Sequence, residues 1–389
     1  MNHLKKLSTK SSLNVLGLMS GTSADGLDLA LCRISRKGRG IELKTLCTGG
    51  YKFTANLRKW ILATADKSTL TKTDICDLDL TLSAFYVNSI KKFIEKNKIY
   101  KIDLIASHGQ TIYHRDKRGS GGKSRQSATW QIGDGAYLST NTGIPVVSDF
   151  RRDDTAAGGS GAPLTPLCHY HLFAHKGENR AVLNIGGITN LTYLPQSGIV
   201  NKISASDCGP GNMPVDQLMQ RLYNKKYDRG GQIAIHGSVN YSLLKYLRNS
   251  AWYRKPFPKS LGREQFGNDF VDKIIKFGKI NKISNENIIT TISELTVEAV
   301  IKYLNKMSIP DQLLVCGGGV HNRFFMDRLQ QELPGCRVHS TAESGLDPDY
   351  VEAVSFALMG FMYTAGIPAG LKNVTGARTE TVLGKLSLP

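Results

Sequence analysis

The sequence predicts an α/β protein made of two similarly organised domains, each a mixed sheet flanked by helices, and three observations predict it. Two glycine-rich turns are each set between short apolar runs, Leu16 to Ala30 near the start and Ala181 to Leu194 near the middle, a pattern that reads as strand, tight turn and returning strand. After each of these meanders, apolar segments of strand and helix spacing alternate. A third glycine run, Gly317-Gly-Gly319, lies between an apolar strand and a helix. At 389 residues the chain is long enough for two domains with a core apiece.

A polar tail over residues 1–12 precedes three strands, Val15 to Met19, Leu27 to Ile34 and Ile41 to Phe53, the first two joined by the glycine turn. Leu57 to Ala65 and Ile75 to Lys96 carry helical spacing, with Leu80, Phe85, Ile90 and Phe93 on one apolar stripe. Ile102 to Ala106 is a buried strand, and Ile144-Pro-Val-Val147 a short one. The polar stretch Asp149 to Asp154 and the flexible Gly158-Gly-Ser-Gly161 form a crossing. This divides the chain into domains of residues 13–150 and 151–389, with the final residues packing back on the first. Leu164 to His175 is a short helix, and the second meander starts at Ala181. Asn287 to Asn305 is helical, Gln312 to Cys316 a strand, Asn322 a cap for the helix to Leu333, and Tyr350 to Tyr363 a core helix.

An apolar content of 41% with 21% charge excludes a disordered chain. The net charge of +18 gives a surface that attracts anions such as nucleotides, phosphorylated sugars or acidic polymers. The basic residues are scattered, with clusters at Arg36 to Arg39, Arg115 to Arg125 and Lys225 to Arg229. No basic helix with interleaved aromatics occurs, so nucleic acid is not an expected partner. Glycines 119, 121 and 122 make the second cluster read as a mobile, solvated loop. Seven widely spaced cysteines without a C-x-x-C pair point to neither a disulfide framework nor a zinc site, and suit a reducing, cytoplasmic location. The apolar run Leu13 to Met19 is too short and too interrupted for a secretory signal, and no run approaches the roughly 20 residues of a membrane span. A homodimer is compatible with the sequence.

Gly21, Thr22, Ser23, Ala24, Asp25, Gly26, Leu27 and Asp28 form a candidate phosphate loop, whose amides and hydroxyls suit phosphate oxygens. Asp25 and Asp28 add carboxylates suited to orienting hydrated magnesium, with Asp25 the candidate metal residue. The plain alternative is a hairpin turn, since no Gly-Lys-Ser/Thr of a Walker loop follows. Gly186 and Gly187 repeat the design in the second half. At Gly317, Gly318 and Gly319 the missing side chains let a base or ribose approach the backbone. His108 and Gln110 follow a strand at the end where open α/β sheets place ligands, and are read as sugar contacts. Arg151 and Arg152 are candidates for clamping a carboxylate or phosphoryl group, one of them alternatively pairing with Asp153 or Asp154. His169, His171 and His175 lack a third ligand and are read as packing or surface residues.

The segments Gly17-Leu-Met-Ser-Gly-Thr-Ser-Ala-Asp-Gly26, Ser107-His-Gly-Gln-Thr111, Gln131-Ile-Gly-Asp134, Asp149-Phe-Arg-Arg152, Gly158-Gly-Ser-Gly-Ala-Pro-Leu164, Asn184-Ile-Gly-Gly187, Asp207-Cys-Gly-Pro-Gly-Asn212, Gly262-Arg-Glu264 and Cys316-Gly-Gly-Gly319 resemble those of anhydro-N-acetylmuramic acid kinases, in the same order. The resemblance runs from about Val15 to Lys385. It implies two ribonuclease-H-like domains of the sugar kinase and actin-like ATPase superfamily, closing over ATP and Mg2+. The implied reaction converts 1,6-anhydro-N-acetylmuramic acid, ATP and water into N-acetylmuramic acid 6-phosphate and ADP. The resemblance assigns the base that deprotonates the water to Asp207 and a place at the sugar or the attacking water to Glu352. Without it, Asp207 reads as a turn or cap residue and Glu352 as a solvated helix position. The chain departs from the family pattern at Ala24, Cys208 and Asp153 and has a longer loop from Asp116 to Ser127. An ordinary hexose or amino-sugar kinase and a non-catalytic sugar sensor are the rival readings.

Overall fold

The computed structural model describes residues 3–38, 40–66, 69–116 and 126–389. Arg39 and the Arg115 to Arg125 stretch from residue 117 onward, read above as a mobile loop, therefore lie outside the described residues. The chain divides into two compact units: residues 1–172 with 350–389, and residues 173–349.

In the first unit, β1 (Ser12–Ser20), β2 (Gly26–Lys37) and β3 (Gly40–Lys52) form the antiparallel meander. β4 (Leu104–Arg115) then pairs parallel to β1, and β6 (Val146–Ser148) parallel to β4. The sheet order is β12-β6-β4-β1-β2-β3, with β5 (Ala128–Ile132) paired to β4 and β12 (Lys385–Ser387) antiparallel to β6. In the second unit β7 (Arg180–Ile185), β8 (Ile188–Leu194) and β9 (Ser204–Pro210) repeat the meander. β10 (Gln312–Cys316) and β11 (Arg337–Ser340) add in parallel, giving β11-β10-β7-β8-β9. With β5 and β12 set aside, the strands of each half run 3-2-1-4-5, the ribonuclease-H-like order, so the duplication read from the two glycine meanders is a duplication of topology.

The local reasons are ordinary ones. Thr71 caps the helix Lys72–Lys96 with a reciprocal capping box to Asp74, and Ser284 caps the helix Asn285–Leu304 through the Asn287 amide. The latter helix is buried on nearly every face and forms the centre of the second core with Leu183, Ile185 and Val315 of the sheet. In the first unit Leu16, Leu18, Leu29, Tyr86 and Ile90 are wholly or almost wholly buried between sheet and helix. None of the described helices is long and apolar enough to cross a membrane.

Three expectations change. The first crossing lies at 172/173 rather than after 150: Phe150–Ala156 is a helix, not a flexible stretch, and Asp154 fastens it to Gly161 and Thr375 within the first unit. The last long helix, Val351–Thr364, belongs to the first unit, packing on β1 and β2. The polar tail contains a short helix, His3–Ser8, because Leu7 buries its side chain. β5, β11 and the helix Gly135–Thr142 are absent from the sequence reading, each too short to carry a period.

The Val351–Thr364 helix meets β1 at Gly17, where a Cβ would overlap the Ala353 carbonyl oxygen and crowd the Ala357 amide. Gly17→Ala is expected to lower the unfolding free energy by about 1–3 kcal/mol through overpacking, measured by denaturant titration, with little change for the same substitution at the open Gly40.

Candidate functional site

The turn between β1 and β2 is held from behind. Ser20 Oγ donates to the Gly26 carbonyl at 2.9 Å and lies 2.6 Å from Gln110 Oε1, while Gln110 Nε2 donates to the Gly21 carbonyl at 3.1 Å. Ala24 takes a left-handed conformation with φ 51°, its N–H closing the turn onto the Gly21 carbonyl. A Cβ at Gly26 would strike the Tyr51 carbonyl, so only glycine lets β2 leave the turn beside β3. Ala24 and Leu27 point into the core. Asp25 is exposed and takes Arg58 Nε at 3.1 Å, and Arg58 also donates to the Ser23 carbonyl. The exposed residues of this loop are thus Thr22 and Asp25, with Gly21, Ser23, Gly26 and Asp28 half-buried.

Gln110 is 1% exposed, and His108 is 3% exposed. Both were expected to touch sugar; both instead hold other groups. His108 Nε2 accepts from Arg151 Nε at 2.9 Å, and Arg151 also donates to the Gly161 carbonyl at 2.8 Å. Asp154, fully buried, takes the Gly161 N–H and the Thr375 hydroxyl, both at 2.7 Å. The resulting relay, Asp154 to Gly161 to Arg151 to His108, fixes one guanidinium in direction. Burial, reinforced by the Arg151 charge, pushes the His108 imidazole down to about 3, so it stays neutral and remains an acceptor. Arg152 diverges, as successive side chains do: it is exposed and pairs with Asp149 at 3.3 Å, while Asp153 accepts from the Gly384 amide. Phe356 packs on the His108 ring at 4.7 Å. Glu352 stands one helical turn earlier, on the same face of its helix and in its first turn, where the helix dipole favours a carboxylate.

In the second unit the other glycine runs come together. The Asn212 amide donates to the Gly186 carbonyl, and those of Gly211 and Met213 to that of Gly187. A Cβ at Gly211 would strike the Gly186 oxygen. Gly317, with φ 75°, leaves no room for a side chain beside Asn184 Oδ1, and Gly319 none beside Ile185. The turns at 186–187, 211–212 and 317–319 therefore line one small region at the ends of β7, β9 and β10.

Asp207 lies on β9 opposite Asn190, just past a register shift. Its Oδ2 takes the Leu261 N–H at 2.7 Å, and its own N–H donates to the Lys259 carbonyl at 3.1 Å. One carboxylate oxygen is thereby tied to a second segment, which sets the direction of the other. The sequence reading missed the Lys259–Leu261 segment, which has no periodicity, and offered Asp154 as a partner for Arg151 or Arg152 without its bonds to Gly161 and Thr375. The Gln131–Asp134 motif is structural: Asp134 caps the next helix through the Ala136 amide at 2.7 Å. No group of three or more metal-binding side chains occurs among the described residues. Burial pushes His169 down to about 4 and lowers His171, while His175 is exposed beside Glu178.

A family model for anhydro-N-acetylmuramic acid kinase matches residues 13–388. The chain is 36% identical over 398 residues to the anhydro-N-acetylmuramic acid kinase of Caldanaerobacter subterraneus subsp. tengcongensis, covering all of both chains. It is 37% identical over 374 residues to that of Hahella chejuensis, covering 95% of this chain and 97% of the relative. Among solved structures, component A of the (R)-2-hydroxyglutaryl-CoA dehydratase of Acidaminococcus fermentans aligns with a TM-score of 0.48 at 12% identity, covering 91% of this chain and 99% of that one.

His108 resists protonation when folded but takes it up near pH 6.5 when unfolded, so it contributes stability above that pH which is lost as pH falls toward 3. His108→Gln, which keeps an acceptor for Arg151, is expected to flatten this acid slope. It is not expected to abolish it, because His169 acts in the same direction. Denaturant unfolding at about pH 7 and about pH 4.5 measures the difference.

Proposed function

The chain belongs to the anhydro-N-acetylmuramic acid kinase family, and on that premise we propose an ATP-dependent kinase that opens the 1,6-anhydro ring of 1,6-anhydro-N-acetylmuramic acid and phosphorylates O6, in the recycling of cell-wall sugars. The observation that carries the reading is the match across residues 13–388.

In this reading a water attacks C1 as Asp207 removes its proton. The C1–O6 bond breaks with its electron pair going to O6, O6 attacks the γ-phosphorus, and ADP leaves. Water is a poor nucleophile at neutral pH, so a carboxylate fixed in direction lowers the barrier by taking the proton as the bond forms. The Leu261 amide on Oδ2 supports that role, because it restrains the carboxylate without neutralising it.

The first unit contributes charge. The Gly21 to Asp28 turn receives phosphate oxygens, with Asp25, whose exposed ion pair with Arg58 is exchangeable, suited to hold hydrated Mg2+. When bound, that ion neutralises charge developing on the transferred group. Arg151, aimed by His108 and Gly161, binds the substrate carboxylate or the phosphoryl oxygens, whereas Arg152 is committed to Asp149. His108 and Gln110 act through the groups they hold. Glu352 faces the sugar or the attacking water. In the second unit the glycines at 186–187 and 317–319 accept the nucleotide closely because no Cβ intervenes.

Asp207→Asn is expected to fold and to bind ADP normally, with kcat reduced by about 10³-fold or more, read by a coupled ADP assay beside calorimetry. Retained turnover would move the base elsewhere. Run in heavy-oxygen water under conditions that suppress exchange, the wild-type reaction is expected to place the label at the anomeric hydroxyl. An unlabelled product would instead identify an ordinary sugar kinase.

A further inference from the structure

Lys259 is 5% exposed, a rare position for an ammonium. Its backbone lies along β9: the Lys259 N–H donates to Ser206 Oγ at 2.9 Å, and its carbonyl accepts the Asp207 N–H. Two residues on, the Leu261 N–H holds Asp207 Oδ2. The side chain goes to the helix Ala251–Arg254, where Nζ donates to the Trp252 carbonyl at 3.0 Å and sits 4.4 Å from the Phe257 ring centroid and 5.3 Å from that of Trp252. Trp252 in turn packs where Gly209 has no side chain, two residues past Asp207. One residue thus joins the anchoring helix to the strap that restrains the carboxylate.

A methionine would fill this slot without desolvating a charge. What only the ammonium supplies is directed donors and attraction to the ring faces, both of which fix the strap in place.

We propose that Lys259 is a positioning residue for the proton-accepting carboxylate: its charged ammonium pins residues 257–261, and the pinned strap sets the orientation of Asp207. This inference rests on the reading of Asp207 as the base. Asp207 and Cys208 face the ammonium from β9, Lys302 from the helix Asn285–Leu304, and Lys255 from the end of the helix Ala251–Arg254, with Tyr303 packed on Phe257. Burial first, then the like charges of Lys302 and Lys255, bring Lys259 down to about 8 against the opposing contributions of Cys208 and Asp207. Charge and orientation are therefore lost together as pH rises through about 8. Stability changes with the opposite sign: between that pH and about 10.4 the unfolded chain holds a proton on Lys259 that the folded chain does not, so this group makes folding more favourable as pH rises.

The test is kcat and KM from about pH 6 to 10, with thermal melts, for the wild type, Lys259→Met, Lys259→Arg and Asp207→Asn. The wild type is expected to lose kcat above about pH 8 with KM for sugar and ATP unchanged and no drop in melting temperature. Lys259→Met is expected to lower kcat about 10–100-fold and to abolish that alkaline limb, and Lys259→Arg to shift the limb upward. A folded Lys259→Met protein with wild-type kcat, or with the limb intact, overturns the proposal. Should Lys259→Met fail to fold, a wild-type kcat that stays flat to about pH 9.5 overturns it equally. Inactive Asp207→Asn beside unchanged Lys259→Met defeats the positioning role alone, whereas active Asp207→Asn defeats the assignment of the base beneath it.

Discussion

Backbone approach closer than any Cβ allows is the constraint on which both halves of this chain depend. At Gly17 it brings the Val351–Thr364 helix onto β1, and that placement carries Phe356 against His108. In the second unit the same constraint acts at Gly211 against Gly186, and at Gly317 and Gly319 against the end of β7. In the second unit these contacts bring segments that are distant in sequence to the ends of β7 and β10.

Around these close approaches the polar groups fall into two layers. The outer one holds groups that solvent reaches in part or in full: Thr22, Asp25, Arg151, Glu352 and Asp207. The inner one holds buried groups whose donors and acceptors are paired with the outer ones. Gln110 and Ser20 fasten the glycine turn, His108 and Asp154 aim Arg151, and Lys259 and Leu261 restrain Asp207. Burying such groups costs free energy unless they find partners, so each of these pairings restrains an outer group in direction.

Much of this was legible beforehand. Both meanders follow from apolar alternation broken by glycine, and the Asn285–Leu304 helix from the helical stretch read over Asn287 to Asn305. The motifs in their order picked out the family. What misled was character without context. His108 and Gln110 are polar residues at a strand end, which suggests a ligand, yet the bend at Gly109, φ 73°, turns this stretch inward. Asp149 to Asp154 is polar and glycine-flanked, which suggests a loop, yet a buried carboxylate makes it a helix bound to the C-terminal segment.

By itself the sequence determined the duplicated α/β order, the places where the chain must turn tightly, and the family, because periodicity, glycine and motif spacing are local properties of a string. The tertiary structure alone decided which polar residues are buried behind others, and that the return to the first unit, expected of the final residues, begins at residue 350 with the last long helix. Burial and hydrogen-bond partnership join residues such as Asp154 with Thr375, or Leu261 with Asp207, and depend on distances that only folding creates.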